Sequence, residues 1–132
     1  MAEPSPIDES IVIVGVCGSG KSTLAAGLRA LGYPARVCVQ EHSYVPFLWM
    51  RRGRPRVLVH LQASLETVSR RRDVAWTEEV LELQRDRLAL ARAHCDLDID
   101  TNPLTADEVR ERVVCYLRER QLFGAPGGQD IT

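Results

Sequence analysis

The sequence has little or nothing of several features, and most of these absences argue against a class of protein. No apolar run approaches the length of a membrane span, and no basic-then-apolar leader opens the chain, so we expect no membrane association or secretion. The net charge of −1 gives no overall attraction to nucleic acid. Only one of the 17 basic residues, Lys21, is a lysine, and the others are arginines.

Paired cysteine motifs are also missing. The four cysteines, Cys17, Cys38, Cys95 and Cys115, are scattered and form no C-x-x-C pair. This spacing is typical of reduced thiols rather than of a disulfide or zinc framework, so we expect a cytoplasmic location. With 132 residues the chain has room for one domain.

One motif is unmistakable in residues 15–23, which read G-x-x-x-x-G-K-S-T and are called the phosphate loop below. The loop follows an apolar run at 11–14 and opens a helical pattern, which is the context that a P-loop requires. Glycines allow positive φ angles and bring backbone N–H groups to phosphate oxygens, while the helix directs its positive end at the same anion. We therefore expect ATP, or another nucleoside triphosphate, to be held by Gly15, Cys17, Gly18, Ser19, Gly20, Lys21, Ser22 and Thr23.

Two side chains of this loop have individual roles. Lys21 is predicted to reach the β- and γ-phosphates and to take part in catalysis, and the Ser22 hydroxyl is predicted to bind Mg²⁺. We also expect Lys21 to be an exposed loop lysine that contributes little to folding.

Strand and helix patterns alternate along the whole chain. Apolar runs predict strands at 11–14, 36–40, 57–61 and 97–100, and Thr77 and Thr105 are predicted to cap the last two helices. The expected fold is α/β with three layers, a parallel sheet in the order 2-1-3-4 and helices on both faces. We expect a flexible lead at 1–10, a P-loop NTPase domain at 11–121 and a flexible tail at 122–132.

Acidic and basic residues outside the loop supply further candidates. Glu41 follows the second strand, where a carboxylate could hold a metal-bound water or accept a proton, although it could equally face solvent. His42 is interpreted as a local hydrogen-bonding partner. Arginines 70 to 72 are consecutive on a helix, so not all of them can face a ligand, and we expect one to lie over the phosphates.

Residues 57–109 resemble the small P-loop kinases, the group of shikimate, gluconate, adenylylsulfate and nucleotide kinases. The likeness begins with a strand followed by a helix that ends in arginines. It continues with Arg87, a strand at 97–100 and the turn after that strand. The resemblance implies that Arg70 or Arg72 is the lid arginine that covers ATP and that Arg87 meets the acceptor. It also implies that the turn at 101–104, with Thr101 and Pro103, runs beside the adenine ring.

The sequence departs from those kinases on the acceptor side. Only one strand is found between the first helix and the strand before the lid, and the lid is reduced to a few residues around Trp76. No D-x-x-G or N-K-x-D motif follows, which argues against a GTPase. The chain therefore looks like a kinase of reduced size, with an acceptor and an oligomeric state that the sequence leaves open.

Three functions remain open. The first is a Mg-ATP-dependent phosphotransferase acting on a small acceptor. The second is a nucleotide-binding module without turnover, with residues 44–50 as a partner surface. The third is a kinase for nucleic-acid ends that uses the basic loop at 51–56, with Tyr44 and Trp49 as stacking groups; near-zero net charge makes nucleic acid the less favoured partner.

Overall fold

The computed structural model describes residues 8–72 and 77–123, with the side chain of Arg72 left out. Strands and helices alternate, in the order β1 Asp8–Gly15, α1 Lys21–Ala30, β2 Ala35–Val37, β3 Pro55–Gln62, α2 Leu65–Arg72, α3 Glu78–His94, β4 Leu97–Asp100 and α4 Ala106–Glu119. Two 3₁₀ turns, Gln40–His42 and Leu48–Met50, lie between β2 and β3. The segment at 73–76 with Trp76, residues 1–7 and residues 124–132 lie outside the described part of the chain.

The four strands form one parallel sheet in the order β2-β1-β3-β4, which confirms the predicted order. Residues Ile11 to Val14 of β1 are fully buried because β1 has a neighbour on each side and helices cover both faces. The strand begins at Asp8, earlier than the predicted start at Ile11, since Asp8 pairs with Pro55 and its carboxylate accepts a hydrogen bond from Arg36. β2 is shorter than predicted because the chain turns at Gln40–His42.

The side chains of β1 and β3 alternate between two cores, as strand geometry requires. Ile11 and Ile13 pack with residues of α1 and α4 on one face. Val12 and Val14 pack with residues of α2 and α3 on the other. The result is the three-layer arrangement that the alternating sequence pattern predicts.

Local signals define the helix ends. The Thr77 side chain accepts a hydrogen bond from the Val80 N–H at the start of α3. Thr105 and Glu108 form the predicted capping box at the start of α4, each side chain accepting from the other's backbone N–H. Gly32, with φ 93°, follows α1 and turns the chain toward β2.

Two segments differ from their predicted character. Trp49 is 4% exposed and packs in the core beside α3, so it is not available as a stacking surface for bases. Leu122 and Phe123, at the start of the predicted tail, pack against the core beside α1 and α4. Within residues 8–72 and 77–123, the helices are all too short or too polar to cross a bilayer.

Candidate functional site

A cavity of about 760 Å³ opens at the carboxyl edge of the sheet, where β1 ends and the strand order reverses. Such reversals are where open parallel sheets bind ligands, because loops from neighbouring strands diverge there. Its wall combines the phosphate loop, the ends of β2 and α2, and the turn from β4 into α4. The lining residues are Cys17, Gly18, Ser19, Gly20, Lys21, Ser22, Thr23, Leu24, Val37, Val39, Glu41, His42, Arg70, Arg71, Thr101, Asn102, Leu104, Thr105, Ala106 and Val109.

Glycines shape the phosphate loop at three points. Gly18 and Gly20 adopt left-handed conformations with φ 84° and 99°, which residues with a Cβ rarely adopt. Gly15 is required for a different reason, since a Cβ there would lie 2.7 Å from the carbonyl oxygen of Leu61 on β3. The space beside Gly20 is open, with no atom within 4 Å of a Cβ built there.

Backbone N–H groups of this loop are free to bind an anion. In the described part of the chain, no residue accepts a hydrogen bond from the N–H of Gly18, Gly20, Lys21, Ser22 or Thr23. The last three belong to the first turn of α1, whose N–H groups have no partner within the helix. The buried Ser19 hydroxyl also has no hydrogen-bond partner. These donors, together with the positive end of α1, suit a phosphate group.

Lys21 is not the exposed loop lysine that the sequence suggested. It is 8% exposed, and its Nζ donates to the carbonyl oxygens of Gly15 and Val16 at 3.0 and 3.1 Å. The same Nζ lies 2.9 Å from Oε2 of Glu41. All three ammonium protons therefore have acceptors inside the protein.

Glu41 is buried rather than solvent-facing. It is 2% exposed, and the Gln40–His42 turn places it against Lys21 at the cavity wall. Its second oxygen, Oε1, is buried without a hydrogen-bond partner. Burial of a carboxylate is costly unless the charge is paired, so the Lys21–Glu41 ion pair fixes both side chains.

Of the two described arginine side chains at 70 and 71, Arg71 hydrogen-bonds to the loop, whereas the resemblance to the small kinases implied Arg70 or Arg72. Its guanidinium donates to the carbonyl oxygen of Gly18 at 3.2 Å and to the hydroxyl and carbonyl oxygens of Thr101 at 3.1 and 2.9 Å. Burial lowers the pKa of Arg71, and the neighbouring charge of Arg70 lowers it further. Arg70 also lines the cavity, and the side chain of Arg72 lies outside the described residues.

Two residues of α3 contact the backbone of the segments that form the site. Gln84, which the sequence analysis did not identify, is 3% exposed and accepts a hydrogen bond from the Cys17 N–H at 2.9 Å. Arg87 is not part of the cavity lining. Its guanidinium donates to the Glu41 carbonyl oxygen at 3.2 Å and lies 4.2 Å from the centre of the Tyr44 ring. Arg87 therefore holds the segment that carries Glu41, and contact with an acceptor stays a prediction.

The turn after β4 forms the opposite wall of the cavity. Thr101 is buried, and its hydroxyl donates to the carbonyl oxygen of Gln62 at 2.7 Å. Leu104 and Val109 add apolar side chains to this wall, which also carries Asn102 and Thr105. Pro103, the other residue predicted for this turn, is exposed and does not line the cavity.

The basic loop at 51–56 lies far from this cavity. It leads into the amino end of β3, whereas the phosphate loop follows the carboxyl end of β1, which runs parallel to β3. Arg56 pairs there with Glu9 and lies over the Phe123 ring.

No family model matches the chain, and a search of curated proteins finds no match. The geometry of the site is therefore the basis for assigning a function.

Proposed function

We propose that the protein binds Mg-ATP in the cavity above the phosphate loop and transfers the γ-phosphoryl group to a small acceptor. The observation that supports this most strongly is the loop itself. It joins the central strand to a helix, has left-handed glycines at 18 and 20, and offers unpaired N–H groups to the cavity. These features are typical of P-loop NTPases, and the resemblance of residues 57–109 to the small kinases favours the small-molecule kinase type.

In this proposal the nucleotide lies between the two walls of the cavity. The phosphates would be held by the N–H groups of the phosphate loop and by Lys21. The adenine would lie toward Leu104 and Val109 on the opposite wall. Ser22 is exposed on that cavity and would hold Mg²⁺, which would neutralise charge on the phosphates.

The side chains around the loop suit phosphoryl transfer. In the reaction, the bond between the γ-phosphorus and the bridging oxygen of ATP breaks, and a bond forms between that phosphorus and the acceptor oxygen. Lys21, Arg70 and Arg71 would stabilise the negative charge on the moving group. Glu41 would accept the proton of the acceptor hydroxyl, which requires Lys21 to exchange its carboxylate partner for phosphate.

A second candidate is a nucleotide-binding module that does not turn over. Between α1 and β3, the described chain has only the strand Ala35–Val37 and two 3₁₀ turns, so little protein is available to enclose an acceptor. The exposed apolar side chains of Tyr44, Val45 and Phe47 lie in this segment and could face a partner. A kinase for nucleic-acid ends is less favoured, because the basic loop lies at the opposite end of the sheet.

Transfer of phosphate from ATP to an acceptor distinguishes the phosphotransferase from the nucleotide-binding module. We expect γ-labelled ATP to pass its label to at least one member of a panel of small hydroxyl- and phosphate-bearing compounds. Glu41→Gln keeps the size of the side chain but removes its basicity, so turnover should fall by about 10²–10⁴-fold while ATP binding is retained. Glu82→Gln, an exposed acid on α3, is the matched control and should behave like wild type.

The outcomes of this assay are distinct. ATP binding without label transfer to any acceptor would overturn the kinase proposal and favour the module. An oligonucleotide is assayed beside the panel, and transfer to its ends alone would favour the third function. Equal transfer rates in wild type and Glu41→Gln would exclude Glu41 as the base.

A further inference from the structure

Three metal-ligating side chains meet beside the phosphate loop. The Cys17 Sγ lies 3.2 Å from Nε2 of His42, and that nitrogen lies 3.6 Å from Oε2 of Glu41. One ligand atom from each residue falls within 4.8 Å of both others, and no second such group occurs in residues 8–72 and 77–123. Cys17 is brought to this position by the loop, and the other two by the Gln40–His42 turn.

Two of these separations are close to those in a tetrahedral zinc site. Zinc bonds of about 2.3 Å to sulfur and about 2.0–2.2 Å to nitrogen or oxygen place neighbouring ligand atoms about 3.4–3.6 Å apart. The Cys17–His42 distance of 3.2 Å and the His42–Glu41 distance of 3.6 Å are close to these values. Three protein ligands would leave the fourth position open, as in zinc sites that bind water or substrate.

Glu41 has unused capacity to bind a cation. Its Oε2 faces His42 and also lies 2.9 Å from Nζ of Lys21, whereas the buried Oε1 has no hydrogen-bond partner. A buried carboxylate oxygen without a partner is unfavourable, so a metal ion on one oxygen of Glu41 with Lys21 on the other would satisfy both. The site is also open to solvent, because the His42 side chain is 51% exposed and Cys17 is partly exposed.

We propose that Cys17, Glu41 and His42 bind one Zn²⁺ ion at the edge of the phosphate loop. Thiolate and imidazole ligands select zinc over magnesium, which prefers an all-oxygen octahedron, so this site is distinct from a Mg²⁺ site at Ser22. The thiolate supplies one negative charge to the ion, and Glu41 shares its charge between the ion and Lys21. Binding requires Cys17 to lose its proton, so zinc uptake releases acid.

The site is tested in nucleotide-free protein with Co²⁺ as the probe and Zn²⁺ as its competitor. One equivalent of Co²⁺ should give the near-ultraviolet absorption of a thiolate–cobalt bond, and Zn²⁺ should remove it. Cys17→Ser should abolish this absorption, and His42→Gln should weaken binding at least tenfold. Cys115→Ser, which changes an exposed cysteine on α4, should bind like wild type.

Two results would overturn the proposal. One is the absence of thiolate–cobalt absorption in wild type, and the other is an unchanged spectrum in Cys17→Ser. Because Cys17→Ser and His42→Gln are independent changes, misfolding of one variant leaves the other to decide. The proposed phosphotransfer uses Glu41 but neither the Cys17 nor the His42 side chain, so these two variants test the zinc site separately from that function.

Discussion

Lys21 and Glu41 form a buried ion pair at the base of the phosphate loop, with 2.9 Å between Nζ and Oε2. Lys21→Ala would leave the Glu41 carboxylate buried without its partner. Removal of one member of a buried pair typically costs about 3–5 kcal/mol. We therefore expect Lys21→Ala to lower the free energy of unfolding by an amount in this range, measured by urea denaturation.

The double variant Lys21→Ala/Glu41→Gln is the matched control for that substitution. It removes both charges and should recover much of the stability lost in Lys21→Ala, because no unpaired charge stays buried. A Lys21→Ala protein as stable as wild type would show that the pair does not hold the loop. For nucleotide-binding experiments the double variant is also a better comparison than Lys21→Ala, because it leaves no buried charge unpaired.

His60 makes stability depend on pH. It is 5% exposed and its Nδ1 lies 2.8 Å from Oδ1 of Asp98, which Gln62 and Arg92 also contact. Burial lowers the pKa of His60 below its ordinary value of 6.5, although Asp98 opposes this shift. Below that ordinary value the unfolded chain takes up a proton that the folded chain does not, so acidification reduces stability.

We therefore expect the free energy of unfolding to fall as the pH is lowered from about 7 to about 5. His60→Asn keeps a nitrogen that can donate to Asp98 but cannot titrate in this range, so its stability should fall less. Equal slopes in urea denaturation of wild type and variant would contradict this assignment. Asp98 affects stability at lower pH than His60. Burial tends to raise the pKa of Asp98, but its hydrogen bonds outweigh burial and lower this pKa below the ordinary value of 3.8. The stability that Asp98 contributes is therefore lost below pH 3.8.

At the scale of elements, the join between β1 and the phosphate loop depends on a close backbone approach. A Cβ at Gly15 would lie 2.6 Å from the Ser19 hydroxyl and 2.7 Å from the backbone oxygen of Leu61. Backbone cannot move aside as a flexible side chain can, so Gly15→Ala should cost about 1–3 kcal/mol of stability, measured by thermal or urea unfolding.

Gly27→Ala provides a control within α1. Its Cβ would lie 3.2 Å from Cδ of Arg110, a flexible side chain that can shift. Since alanine favours a helix interior over glycine by about 0.5–1 kcal/mol, this change should be neutral or stabilising. A Gly15→Ala protein as stable as Gly27→Ala would mean that β1 and β3 can separate at this point.

The elements themselves could be predicted, because each has a local signal. The β-branched run at 11–14 indicates a buried parallel strand, and the capping pair Thr105 and Glu108 marks the start of α4. Their order in the sheet follows from the alternation of strands and helices, together with the handedness of the crossovers.

The contacts within the site could not be predicted in the same way. Which of the consecutive arginines faces the loop depends on the rotation of α2, and of the described side chains at 70 and 71 it is Arg71 that hydrogen-bonds to the loop. Gln84 meets the loop from 67 residues away, a distance over which no local pattern operates. The burial of Lys21 likewise depends on the turn that brings Glu41 beside it.

At the scale of the whole molecule, the candidate binding residues gather at one edge of the sheet. The phosphate loop, Glu41, Arg71 and Thr101 all lie at the carboxyl edge, whereas the arginine-rich loop at 51–56 lies at the amino edge. The parallel sheet therefore separates a cavity suited to an anionic ligand from a basic surface at its other end. This arrangement favours a nucleotide over a nucleic-acid strand as the ligand of the cavity.

Ligand-induced stabilisation tests the nucleotide proposal most directly. A ligand that binds only the folded chain raises its stability by about 2.7 kcal/mol at a hundred times its dissociation constant. The melting temperature of wild type should therefore rise by several degrees as Mg-ATP is added up to millimolar concentration. Lys21→Ala/Glu41→Gln should show little or no rise. A melting temperature in wild type that stays constant across this range, or one that rises equally in the double variant, would contradict Mg-ATP binding at the phosphate loop.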